Sequence, residues 1–427
     1  MTEVGGAVAA GFEPVVDELA RLAEKGREAG AALAVYLDGI PVVDLWAGES
    51  HPGRSWVEGT ACAILSATKG VTALCAQILN DRAQLDVDAP VARYWPDFAV
   101  AGKEHTLVRH LLSHTAGVLT FPRYWEVIGP AGRQLADWSL MTDRLAAAPP
   151  SWPPGTAFQY APLSFGYLVG ELVRRVDGRS LGRFVADELA TPLGLDLWIG
   201  LPDKVRDRVA VILPADSAEQ PRLARRQALA DARARELVRD GRELEPDAAP
   251  FSGIFLRPDA EESSGYLPAL MNDPILRAAE LPACNGISTA RSLCRMYAAL
   301  SMDGELAGVR IVSSASIDRF AQAQPLAGTK DSGFGLGYMR FPMQMLASSH
   351  ELKVRPGRQS FGHSGAGGAL GFADRDNRLA FAYVKNRILR LPTPTYNLVR
   401  SVYRCLGNRP MTAAGVSLSM PSQDGVL

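Results

Sequence analysis

Only one serine in this 427-residue chain stands three positions before a lysine, and it does so where an apolar run gives way to a helical pattern. The stretch is Ser66-Ala67-Thr68-Lys69, set between Ala61–Leu65 and Val71–Leu79. The chain has 7 lysines against 38 arginines, so few lysines are available to make the match by accident. Residues three apart at the start of a helix share one face, which brings a hydroxyl and an amine side by side. A serine hydroxyl is a poor nucleophile at neutral pH and needs a base within reach. A lysine serves once burial or a nearby cation makes it neutral, and the free N–H groups of a helix start can hold an oxyanion. Taken alone, the same four residues also describe an N-cap serine with an exposed lysine.

The surrounding patterns predict a mixed layer architecture. Residues 12–28 read as an amphipathic helix, with Val15, Leu19, Leu22 and Ala23 at helical spacing. Ala31–Leu37 and Pro41–Ala47 read as a hairpin joined at Asp38-Gly39. The helix after Ser66 is predicted to run to about Arg82. Further on, Trp152–Thr156 is a tight turn, and Leu163–Val176 is a helix ended by Asp177-Gly178. Residues 203–247, rich in Arg, Ala, Glu and Asp, read as a solvated helical face, with pairs such as Asp231 and Arg235. Ser288–Leu300 reads as a helix, and Leu370–Ala373 and Leu379–Val384 as strands. Asp374–Asn377 is their turn; it lacks the spaced acidic ligands of a calcium loop. A flexible tail is expected at 406–427.

Composition narrows the function classes. Hydrophobic content of 47% and charged content of 21% fit a globular protein, and a net charge of -1 argues against a nucleic-acid partner. No apolar run is long enough to span a bilayer. Met1–Gly5 lacks the basic and apolar features of a signal peptide, so a cytoplasmic location is expected. Cys62, Cys75, Cys284, Cys294 and Cys405 read as free, partly buried thiols, with Cys62 and Cys75 as core residues. No cofactor and no metal site are expected. His110 and His114 have helical metal-pair spacing but lack a third ligand, and read as structural.

Two distant segments bear on Ser66. Tyr160, in Gly155-Thr156-Ala157-Phe158-Gln159-Tyr160-Ala161-Pro162, falls on a loop after a Pro/Gly turn. A phenol near a lysine can relay its proton; alone, such a tyrosine is more often a packed aromatic with its hydroxyl satisfied. Phe361-Gly362-His363-Ser364-Gly365-Ala366-Gly367-Gly368 has glycines that permit close backbone approach to a ligand. If this is an edge strand beside the site, its N–H groups can complete an oxyanion hole. Gly362–Ala366 nearly spells the nucleophile elbow of α/β-hydrolases, but its fifth residue is alanine and more strand follows.

The order Ser66–Lys69, Arg109-His110-Leu111-Leu112-Ser113-His114-Thr115-Ala116-Gly117, Tyr160, His363-Ser364-Gly365 resembles the serine β-lactamase-like superfamily. Within it, the chain resembles the class C-like branch and its family VIII carboxylesterases, from about residue 10 to 405. The resemblance implies an α+β fold of the β-lactamase/penicillin-binding-protein type. Residues 1–95 and 285–405 would form an antiparallel sheet flanked by helices, and 96–284 an inserted, mostly helical domain. It implies Ser66 as nucleophile, Lys69 as base and Tyr160 in the proton relay. It implies His363, Ser364 and Gly365 as the substrate-binding strand, and the backbone N–H groups of Ser66 and Ala366 as the oxyanion hole. The Arg109–Gly117 segment resembles an element that supports the fold.

Two departures redirect the chemistry. The lactamase pattern Tyr-x-Asn has Pro162 at its third position, and the strand motif Lys-Thr-Gly begins with His363. Losing the groups expected to hold a β-lactam amide and carboxylate points to a serine esterase acting on small to medium acyl esters. His363 either hydrogen-bonds substrate or Tyr160, or packs within the strand. The alternatives are an acyltransferase using the same acyl-enzyme, a non-catalytic binding protein on the same fold, and a weak β-lactamase or D-peptidase.

Overall fold

The computed structural model describes residues 3–25, 28–129, 131–214, 263–324, 333–340, 352–388 and 393–408. Its centre is an eight-stranded antiparallel sheet. Seven strands run β1 (Val4–Val8), β2 (Gly30–Leu37), β3 (Ile40–His51), β4 (Met339–Arg340), β5 (Ser360–Ser364), β6 (Leu370–Asp374) and β7 (Leu379–Lys385). Their order across the sheet is β1-β3-β2-β7-β6-β5-β4, and Arg54–Ser55 adds a short strand on β3. The predicted first hairpin is present. Asp38 and Gly39 both take positive φ, 51° and 76°, the geometry of the two-residue turn that matches strand twist. The β6–β7 hairpin is also present, and its turn is organised by a buried carboxylate. Asp374 accepts from Gly357 N–H, Asn377 Nδ2–H and the Tyr403 hydroxyl.

Every residue of β2 is buried, because both faces of the sheet are covered. On one face Leu33, Val35, Phe381 and Tyr383 pack with α1 (Glu13–Glu24) and with Leu398, Val402 and Tyr403 of the C-terminal helix. On the other, small residues dominate. Ala32, Ala34, Ala380 and Ala382 admit the helix Ala290–Ser301 closely against the strands, with Leu293, Met296 and Tyr297 in the same core. That core continues into α2 (Thr68–Asp81), whose residues 68–79 are all buried, as expected of a helix surrounded by protein. Packed on α2 is α3 (Ser164–Asp177), ended by Gly178 in the left-handed conformation. The helix Ala290–Ser301, here α4, starts two residues later than the sequence suggests, because Ile287–Ser288 pair as a strand with Cys62–Ala63 and Thr289 becomes the N-cap. The C-terminal helix, α5, runs Thr393–Asn408.

Of the charged stretch 203–247, Asp203–Arg208 forms a short 3-10 helix; residues from 215 onward, including Asp231 and Arg235, lie outside the described residues, as do 409–427 of the expected tail. α1 ends at Glu24, short of the expected residue 28. All five cysteines are buried, and none forms a disulfide. Among the described residues, no helix is long and apolar enough to cross a membrane.

One buried ion pair joins the sheet to the segment entering β2. Lys385 Nζ lies 2.6 Å from Glu28 Oε2, with both side chains almost fully enclosed. Removing one partner strands a charge away from water, whereas replacing both by apolar groups removes the desolvation cost as well. Lys385→Met should therefore lower unfolding free energy by ~3–5 kcal/mol. Glu28→Leu/Lys385→Met should recover most of that loss in urea titrations; a double variant as unstable as the single one would show that the pair's geometry itself is required.

Candidate functional site

Ser66 is presented by a backbone kink. Leu65, immediately before it, has φ +48°, a conformation that costs an L side chain strain and persists only where its surroundings enforce it. The enforcement runs through Thr68. Its hydroxyl donates to Leu65 O (2.5 Å) and accepts from Gly286 N–H (2.9 Å), while Gly286 O accepts from Ile64 N–H (2.8 Å). Position 286 needs glycine, since a Cβ there would lie 2.6 Å from the Thr68 oxygen. The serine therefore sits in a 3-10 turn (Leu65–Ala67) leading into α2, nearly buried.

One turn on, Lys69 is 0% exposed. Its Nζ lies 2.7 Å from Pro162 O, 2.9 Å from Ala283 O and 3.3 Å from Ser66 Oγ. Among the described residues no carboxylate pairs with it. Burial lowers its pKa to about 7. A neutral amine has two N–H bonds and one lone pair. The two shorter contacts, both to carbonyl oxygens that can only accept, take the two hydrogens, and the lone pair is left toward the Ser66 hydroxyl.

Tyr160 comes from the loop before α3, as its Pro/Gly context predicts. The Lys69 Nζ sits 4.9 Å from its ring centroid. Burial pushes the phenol above its usual range, and a hydrogen bond with Ser66 offsets only part of that shift. At neutral pH it is therefore a protonated phenol, able to donate. Ser66, Lys69 and Tyr160 thus meet, although they come from segments far apart in sequence.

His363 lies on β5, where the strand runs on past its short partner β4, which pairs only with Phe361 and Gly362. It is 1% exposed, and its ring centroid is 5.9 Å from that of Tyr160. Its Nδ1 lies 2.7 Å from Ser364 O; a carbonyl can only accept, so Nδ1 carries the proton and Nε2 is bare. Burial and the neighbouring Lys69 lower its pKa to about 3. His363 is therefore a neutral imidazole. Ser364 turns its hydroxyl to Met339 Sδ (3.4 Å). At Gly365 any Cβ would run into the Ile64 carbonyl, which brings this loop against the residues leading into Ser66. Ala366 is exposed at the loop's turn. From β5 the chain passes through this loop into β6 without a helix, unlike a nucleophile elbow.

The two histidines of the Arg109–Gly117 segment part company. His110 accepts from Leu107 N–H and closes a short helix start. His114 is buried with its ring 4.8 Å from that of Tyr160, a placement that its sequence neighbourhood does not reveal. Among the described residues no group of three or more His, Cys, Asp or Glu is arranged to hold a metal ion.

Residues 15–396 match the family model described as Beta-lactamase. The esterase/beta-lactamase LipL of Mycobacterium tuberculosis is 35% identical, over 98% of this chain and 94% of its own length. The crystal structure of a family VIII carboxylesterase superimposes with a TM-score of 0.75 at 33% identity, covering 94% of this chain and 100% of that one. A penicillin-binding protein homolog from Caulobacter crescentus gives 0.73 at 30%, covering 95% and 100%. The match across most of the chain, the shared fold and the meeting of Ser66, Lys69 and Tyr160 agree: this chain belongs to the beta-lactamase family and has its α+β fold.

Proposed function

We propose that the protein is a serine carboxylesterase that hydrolyses small to medium neutral acyl esters through an acyl-Ser66 intermediate. The observation that carries this reading is the Lys69 amine, buried with no counter-charge among the described residues and held by two carbonyls 3.3 Å from Ser66 Oγ. In the proposed reaction Ser66 Oγ attacks the ester carbonyl carbon as Lys69 Nζ takes its proton. The oxyanion is held by the backbone N–H groups of Ser66 and Ala366. The Tyr160 hydroxyl gives its proton to the departing alkoxide and is reprotonated by the Lys69 ammonium. Water then attacks the acyl-serine, the relay runs in reverse, and the carboxylic acid leaves. The names of the similar LipL and family VIII proteins support ester chemistry.

His363 and Pro162 support the preference for esters over β-lactams. A neutral imidazole exerts no charge attraction on a carboxylate, and proline has no side-chain amide to offer. His363, Ser364 and Gly365 line the proposed acyl or alcohol side of the site. The proposal includes a discontinuous domain of 1–95 with 285–405 around the inserted 96–284, and a cytoplasmic location. Five buried cysteines, none of them in a disulfide, support a reducing compartment.

Ser66→Ala should abolish hydrolysis across an ester chain-length series and prevent fluorophosphonate labelling, with the fold intact by circular dichroism; retained turnover sinks the assignment. Tyr160→Phe should cost ~10²–10⁴-fold in kcat, as removal of a general acid does. Rapid cephalosporin hydrolysis would overturn the ester preference, and transfer to added alcohols in place of hydrolysis would make the enzyme an acyltransferase.

The pH profile tests the state of Lys69. Below its pKa the amine is an ammonium and cannot accept the Ser66 proton; above it the lone pair is free. The acid limb of kcat/KM should therefore rise with pH through a midpoint of about 7. Lys69→Arg, which stays charged, should be inactive at every pH. A flat profile with active Lys69→Arg protein would exclude lysine as the base.

A further inference from the structure

Residue 114 holds the chain on both sides of Tyr160. Its carbonyl accepts from Gln159 N–H (3.2 Å), and its ring Nδ1 accepts from Ala161 N–H (3.2 Å). Both bonds require an uncommon backbone, with His114 at φ +60°. Histidine and asparagine enter this left-handed region more readily than most side chains. The adjoining Thr115 O accepts from Gly155 N–H (2.8 Å) and Trp152 Nε1–H (3.1 Å), so the loop that carries Tyr160 hangs on two consecutive residues. The His114 ring also lies 4.8 Å from that of Tyr160, 4.9 Å from Phe165 and 5.1 Å from Phe334.

We propose that His114 is the positioning residue for Tyr160, fixing its hydroxyl on Ser66 through the paired bonds to Gln159 N–H and Ala161 N–H. The inference rests on the role assigned above to Tyr160. The Ala161 bond needs an unprotonated Nδ1, which places the single hydrogen of the neutral ring on Nε2. Burial, reinforced by the nearby Lys69, holds His114 well below the usual histidine range, so the acceptor is kept across the working pH. Tyr160 lies on a loop with no ladder of its own, and a displacement of ~1 Å at a catalytic group can cost ~10²-fold in rate.

The test separates the acceptor from the ring. His114→Phe keeps an aromatic ring and removes the acceptor. His114→Asn keeps an acceptor at the Nδ1 position and tolerates the backbone. His114→Phe should lower kcat ~10²-fold with KM nearly unchanged, and His114→Asn should recover most of that loss. In a Tyr160→Phe background, His114→Phe should add almost nothing, because groups that act as a unit do not multiply their effects. Should the phenylalanine protein not fold, His114→Gly replaces it, since glycine takes the left-handed backbone without strain. An asparagine variant as slow as the phenylalanine one, or effects that multiply in the double variant, overturns the clamp alone. A Tyr160→Phe enzyme of unchanged kcat overturns the role of Tyr160 and the clamp with it.

Discussion

The enclosure of one amine in carbonyl oxygen organises this molecule. Lys69 reaches Pro162, 93 positions away, and Ala283, 214 positions away. Neither contact supplies a charge, so the amine gains hydrogen bonds without a counter-ion. The carbonyls alone would hold an ammonium as well as an amine; it is the burial, with no counter-ion among the described residues, that disfavours the charge and leaves the amine neutral. Around it, α2 is enclosed along most of its length, and the kink at Leu65 turns Ser66 toward the amine. The same surroundings keep the Tyr160 phenol and the His363 imidazole uncharged. The proposed site is a set of neutral donors and acceptors with complementary protonation, each set by burial.

What the sequence discloses follows from how local each constraint is. Asp38-Gly39 is legible because positive φ at two successive residues demands particular side chains there. Ser66 and Lys69 are legible because a helical turn fixes their separation, and Tyr160 because a Pro/Gly turn marks its loop. The lysine's own partners are not legible. Pro162 and Ala283 act through backbone carbonyls, which every residue possesses, so no residue type announces them. Glu28 and Lys385 form a close ion pair across almost the whole chain, and nothing near either one points to the other. His114 sits in a segment whose spacing suggests only support for the fold. Its contact with Tyr160 depends on one backbone angle and on a loop beginning some forty residues later.

The departures at positions 162 and 363 acquire a physical meaning from the geometry. Pro162 lacks a side-chain amide, yet its carbonyl is the shortest contact that Lys69 makes. The position acts through its main chain. His363 places an aromatic ring beside Tyr160 and engages its own strand through Nδ1, so the imidazole there is neutral and enclosed.

The sheet also dictates an order of events during synthesis. β2, which leads toward Ser66, has β7 as one neighbour, with Leu37 opposite Leu379. A ribosome therefore releases Ser66, Lys69 and the Tyr160 loop long before β7, the strand that closes the sheet beside β2, exists. Until β5, β6 and β7 emerge, the apolar edge of β2 has no partner, and such an edge pairs readily with other chains. Sheets assembled from opposite ends of a polypeptide close late and slowly. The sheet beside β2 is thus incomplete, and its edge in need of protection, until β5, β6 and β7 are released.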